Sequence, residues 1–112
     1  MNSTRQLKVA RLLQKELGSI FQERSRSGFA GKMITVTTVR VTPDLGMARI
    51  YLSIFPLGKG EDYMEAIREQ TGSLRRELGN RIRHQVRQIP ELVFYRDDSL
   101  DYLDNIEKLL KK

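Results

Sequence analysis

The stretch "MITVTTVRVTPDLGMARIYLSIF", residues 33–55, decides the fold. Its first part, 33–41, is dense in β-branched residues and predicts a strand. "TPDLG" (42–46) predicts a turn, because Pro43 presets one dihedral and Asp44 can bond its own backbone. "MARIYLSIF" (47–55) then alternates, with Ala48, Ile50, Leu52 and Ile54 on one side. Together these segments form a hairpin. The first strand alternates imperfectly: Ile34 and Val36 share one parity, Val39 and Val41 the other. A β-bulge near Thr37–Thr38 reconciles the two, since one extra residue flips every side chain after it.

Outward from the hairpin, the periodicity changes to helical. Upstream, Ser3 opens a capping box with Gln6 three residues on, and the helix runs to about Arg24. At about 100° per residue, Val9, Leu13, Leu17, Ile20 and Phe21 share one face, and Lys8, Arg11 and Lys15 the opposite one. Leu12 falls off the apolar stripe. "RSRSGFAGK" (24–32) is a small-residue linker. Downstream, Pro56 ends the second strand and "LGKG" is a loop. Glu61, Asp62 and Glu65 suit the positive end of a new helix, with Met64, Ile67 and Thr71 inward. Gly72 interrupts, and a second helical pattern runs from Ser73 until Pro90 closes it. "ELVFYR" (91–96) is a third strand, and "DDS" caps a last helix with Leu103, Ile106 and Leu110 inward. The order α-β-β-α-α-β, plus a C-terminal helix, predicts an α+β fold with helices over one face of a three-stranded sheet. No repeat or internal boundary breaks 1–112, which is expected to be one domain.

The chain lacks cysteine, which excludes a disulfide framework, cysteine-ligated zinc and a thiol nucleophile, and fits a reducing compartment. No apolar run approaches the roughly 20 residues of a membrane span, and no signal peptide is expected near Met1. Net charge is +6, unevenly placed: residues 1–40 hold eight Lys/Arg against two Glu, and 41–112 hold twelve of each sign. Excess positive charge favours a polyanion, nucleic acid before an anionic membrane.

The segment 72–90 sharpens this expectation. With Leu74 at 0°, Leu78, Ile82 and Val86 lie within roughly 120°, and Arg76, Arg83 and Arg87 near roughly 180–220°. Asn80 and His84 continue that side, Arg81 borders the apolar arc and Arg75 falls inside it. Glu77 is the one acid from Gly72 to Pro90. Like charges at i,i+4 cost a few tenths of a kcal/mol, so such a face points to phosphates rather than to mere solvation. The expected RNA-binding residues are therefore Arg76, Arg83 and Arg87, then Arg81 and Arg75, and on the first helix Lys8, Arg11 and Lys15.

No constellation supports catalysis. The single histidine, His84, sits among arginines and lacks a partner for metal binding. Asp97, Asp98, Asp101 and Asp104 complement a helix start and lack calcium-loop spacing. "GFAG" (28–31) matches the GxxG of KH clamps but lies between a helix and a strand, so it is taken as linker. The basic amphipathic start resembles a mitochondrial targeting segment, but it continues past Glu16 as a core helix. No enzyme activity, cofactor or metal is expected.

The motifs in order carry a resemblance. Pro43-Asp44-Leu45, then Gly72, Arg75, Leu78 and Gly79, then Pro90-Glu91-Leu92 with Phe94, then Asp97-Asp98-Ser99 resemble the ribosome-binding factor A family over nearly the whole chain. The resemblance implies a type-II KH-like fold and a non-enzymatic cytoplasmic factor. It would bind the neck of the small ribosomal subunit and its 16S rRNA during late maturation, in a family associated with growth in the cold. It also implies that a kink at Ala-x-Gly replaces the GxxG clamp. Here that sequence is Gln70-Thr71-Gly72; the glycine matches and the alanine does not. Many relatives carry a longer C-terminal tail, so tail function is expected to be absent or reduced here. No small-molecule substrate or membrane partner is implied, and a monomer is expected, since no heptad repeat announces a partner. Two alternatives remain: a general KH-like RNA-binding module, and a basic adaptor for an acidic protein.

Overall fold

A computed structural model describes residues 3–25, 29, 32–55 and 64–97. The elements run α1 (Thr4–Arg24), β1 (Met33–Val41), β2 (Met47–Phe55), α2 (Met64–Glu69), α3 (Thr71–Ile82) and β3 (Glu91–Arg96). This is the α+β, KH-like order expected from the sequence. The predicted C-terminal helix and most of "GFAG" lie outside the described residues.

β2 is the central strand. β1 pairs with it antiparallel and β3 parallel. The register slips between Val36 and Thr38, the expected bulge. With Thr37 as the extra residue, Ile34 and Val36 before it, and Val39 and Val41 after it, all turn toward the helices. Thr37 is also tied down, its hydroxyl donating to Tyr51 O at 3.2 Å and lying in hydrogen-bond contact with Asp97. The turn closes through Leu45 N–H on Thr42 O at 2.8 Å and Thr42 N–H on Met47 O at 3.0 Å. Leu45 adopts φ 60°, a left-handed conformation that costs a non-glycine residue of order 1 kcal/mol. Its side chain packs against the core, which offsets that cost.

The described helices cover one face of the sheet. Ser3 and Gln6 form the full capping box, with Ser3 N–H on Gln6 Oε1 at 2.8 Å and Gln6 N–H on Ser3 Oγ at 3.1 Å. Val9, Leu13, Leu17, Ile20 and Phe21 are buried as predicted. Leu12, which had no place on the stripe, packs half-buried at the core's edge. Ala48, Ile50, Leu52 and Ile54 meet them from β2, and Leu92 and Phe94 from β3. Phe21 anchors the centre. Phe94 meets its ring edge-on at 6.0 Å, and Phe29, from the linker, lies 5.7 Å away.

The helix expected to run to Pro90 ends at Ile82 instead. Arg83 is its C-cap, and Gln85 and Val86 donate back to Ile82 O as the chain turns away. Two physical reasons act. Pro90 bars Ile89 from helical dihedrals. Ile89 also packs back against the core beside Gly79, where its Cγ1 lies 3.5 Å from an ideal Cβ position. The returning chain delivers β3 parallel to β2, with Glu91 N–H on Gly46 O at 2.9 Å. Arg75 holds that return, donating to Ile89 O at 2.7 Å and Pro90 O at 3.1 Å.

Between α2 and α3, within Gln70-Thr71-Gly72, the break is at Gln70. Its dihedrals are φ −93° and ψ 4°, open to any L-residue. Gly72 lies inside the first turn of α3, and a Cβ there would meet nothing within 4 Å. Its glycine is therefore not required by the local backbone.

Candidate nucleic-acid interface

α1 and α3 pack side by side and antiparallel, as their ion pairs trace. At the C-terminal end of α1, Arg24 bonds Glu77 at 2.9 Å and Ser73 Oγ at 3.0 Å. Further back along α1, Arg81 reaches Glu23 at 2.6 Å, Ser19 Oγ at 3.2 Å and Glu16 at 3.9 Å. Arg81 also lies 3.8 Å from Glu77 on its own helix. Going on in the same direction, the N-terminal half of α1 meets the chain that leaves α3. There Arg5, Lys8, Val9, Pro43, Asp44, Leu45, and the segment 85–88 line a depression of about 580 Å³.

This arrangement sorts the eight residues expected to bind RNA. Arg75 and Arg81 have intramolecular partners: one clamps the return to β3, the other bridges the two helices. Arg81 is accordingly only 26% exposed. Arg76 is exposed on the outer face of α3. Arg83 and Arg87 are exposed too, but they lie at and beyond the helix end, so the stripe of three is not one helical face. Arg87 is brought to Lys8 across the depression by the turn at 83–88. Arg11 and Lys15 remain exposed on α1. No described residue pairs with Lys8, Arg11, Lys15, Arg76, Arg83 or Arg87, and all six are exposed.

Arg5 was missed by the sequence reasoning. It stands one turn before Lys8 on α1, a spacing that puts the two on adjoining parts of the helix surface. The helical phase was available, but its partner Arg87 was placed on a continuing helix. Asp44 is the one acid lining the depression. Its carboxyl is held below the ordinary carboxylate range, first by the Thr42 hydroxyl donating to it at 2.7 Å, then by the Gly46 N–H at 3.0 Å. Those bonds turn its charge toward the hairpin turn. Among the described residues no cluster of His, Asp and Glu could hold a metal, and no helix is long and apolar enough to cross a membrane.

Comparison with known proteins gives one consistent result. Residues 5–110 match the family model described as ribosome-binding factor A. The ribosome-binding factor A of Christiangramia forsetii is 46% identical over 110 residues, covering 97% of this chain and 84% of its own. The crystal structure of ribosome-binding factor A from Thermus thermophilus superposes with a TM-score of 0.66 at 21% identity, covering 81% of this chain and 94% of its own. A homology model of the Thermus thermophilus factor, fitted into a cryo-EM map of its complex with the 30S subunit, has a TM-score of 0.61 at 24% identity. It covers 78% of this chain and 89% of its own.

Proposed function

This chain belongs to the ribosome-binding factor A family, and on that premise we propose that it binds the small ribosomal subunit as a non-enzymatic, cytoplasmic assembly factor. It acts as a monomeric, single-domain unit on 16S rRNA during late maturation, with a role in growth in the cold. The observation that carries the reading is the exposed basic surface of the helix layer, whose outward cations have no partner among the described residues. There Lys8 of α1 and Arg87 of the segment after α3 flank one depression, and Arg11, Lys15, Arg76 and Arg83 are exposed elsewhere on the two helices and at the end of α3. Arginine forks suit phosphate oxygens. Contacts of this kind position the protein on folded RNA and carry no base sequence by themselves.

The test is co-sedimentation with immature small subunits, mature small subunits and naked RNA across a salt series. Preference for small subunits over naked RNA, weakening with salt, supports the reading. Equal binding to any RNA would reduce it to a general RNA-binding module, and binding to none would leave the adaptor. Arg83→Glu with Arg87→Glu changes two exposed side chains that have no described partner, so folding is retained. This variant is expected to lose most subunit binding, and each phosphate contact it removes lowers the log–log salt slope by about one.

A further inference from the structure

The face of the sheet opposite the described helices carries a second pattern that the helix-layer interface does not use. Its rows follow from the register. Thr38, Tyr51 and Tyr95 stand in one row across β1, β2 and β3. Arg40, Arg49 and Val93 stand in the next. Tyr51 and Tyr95 are stacked, with ring centroids 5.4 Å apart and planes 25° from parallel. Tyr95 is 38% exposed. Beside them Thr38, Arg40, Arg49, Tyr51 and Asp97 line a shallow depression of about 440 Å³.

Two features of this face are unfavourable for a surface that meets only water. Arg40 and Arg49 are direct cross-strand partners, and like charges placed opposite each other destabilise a sheet. Neither has an acidic partner among the described residues. The aromatic row also ends abruptly. On the side of Tyr51 away from Tyr95 the next position holds Thr38, too small to continue the stack. That leaves a gap one planar ring can fill.

We propose that this face is a second RNA contact, taking an unpaired nucleotide whose base continues the Tyr95–Tyr51 stack over Thr38 while Arg40 and Arg49 hold its flanking phosphates. The inference extends the proposed function and rests on RNA being the partner. Sheet surfaces that present aromatic rings between cations bind single-stranded RNA in this way, because every base offers a π-face and every linkage a phosphate. Asp97 lies at the rim, its carboxylate held by Thr37. There it favours a base with an exocyclic amino group, which adenine presents, over uracil, which offers a carboxylate only its ring N3–H.

The test uses the full chain, an oligoadenylate decamer and an oligouridylate decamer, read by NMR. The chain has no tryptophan and four tyrosines, so the Tyr51 and Tyr95 rings are resolvable probes. Adenylate is expected to shift the Tyr51 ring and the Thr38 amide strongly, and uridylate less. Tyr51→Leu, which keeps a strand-compatible side chain, is expected to weaken adenylate binding about 5- to 50-fold. Arg40→Ala with Arg49→Ala removes the like-charge opposition, so it should fold at least as well while binding more weakly. Shifts confined to Lys8, Arg83 and Arg87 would overturn the second contact and leave the proposed function standing. Contacts between the Tyr51 ring and residues 98–112 that persist with saturating RNA would also overturn it, since this chain's own C-terminal segment would then be the occupant. Absence of any RNA-induced shift, together with no small-subunit binding, would instead remove the premise on which it rests.

Discussion

Gln6 shows how much one side chain can join. It is the buried polar residue of α1, 6% exposed. Its Oε1 completes the capping box, and its Nε2 donates to Val41 O at 2.8 Å, tying the start of the helix to the end of β1. Gln6→Leu leaves Ser3 N–H and Val41 O without these partners. We expect a loss of about 1–3 kcal/mol, measured by urea denaturation. Gln6→Glu is more informative. A carboxylate still accepts from Ser3 but sets a negative charge against the Val41 carbonyl, so burial and repulsion raise its pKa. The protonated form can donate where the carboxylate cannot, so this variant should regain stability relative to wild type as pH falls from 7 to 4. Asp44 works in the opposite sense. Its folded-state pKa is held below the ordinary carboxylate range, by Thr42 first and Gly46 second. Its contribution is therefore present above the ordinary carboxylate range and lost as pH falls through the lowered value. Asp44→Asn can keep the turn's acceptor without titrating. The melting temperature of wild type relative to Asp44→Asn should thus decline below about pH 4. Equal pH profiles for the two proteins would remove Asp44 from the account of acid sensitivity.

At the scale of elements, the pairing of α1 with α3 separates arginines that hold the protein together from those that face outward. Arg81 sits among Glu16, Glu23 and Glu77, so Arg81→Ala leaves three carboxylates near one another without their shared cation. A partly exposed network of this kind contributes on the order of 1 kcal/mol. Arg83→Ala, two residues further on and without a described partner, should change stability by less than about 0.5 kcal/mol. Thermal melts of the two variants check this, and equal losses would contradict the assignment of Arg81 to the helix interface. The same elements show what the sequence made legible. Phase alone gave the buried face of α1, the hairpin and its bulge, because those depend on local periodicity. The end of α3 was not legible. Leu74, Leu78, Ile82 and Val86 keep helical spacing, and only the tertiary packing of Ile89 beside Gly79 shows that Val86 reaches the core from a returning chain. The intramolecular partners of Arg75 and Arg81 were not legible for a related reason. A helical wheel gives direction but not the acceptors that a neighbouring helix or loop brings within reach.

For the whole molecule, the order of elements could be read from the sequence, but the placement of β3 beside β2 could not, because a single short strand carries no signal of its neighbour. That placement has a functional consequence. It stacks Tyr95 on Tyr51 on the face opposite the described helices, so the basic surface of the helix layer and the aromatic surface of the sheet lie on opposite sides of the described structure. If both touch RNA in one complex, the protein is held between two RNA segments, and each surface contributes separately. Residues so far apart with no shared partners add in free energy, so their fold-losses multiply. Arg83→Glu with Arg87→Glu, Tyr51→Leu, and the combination of all three should therefore weaken small-subunit binding with the combined loss equal to the product of the separate ones. Competition binding to purified small subunits measures it. A combined loss no greater than that of Arg83→Glu with Arg87→Glu alone would mean that the sheet face does not bear on the subunit when the helix layer is engaged. Its stacking site would then serve RNA only outside that complex.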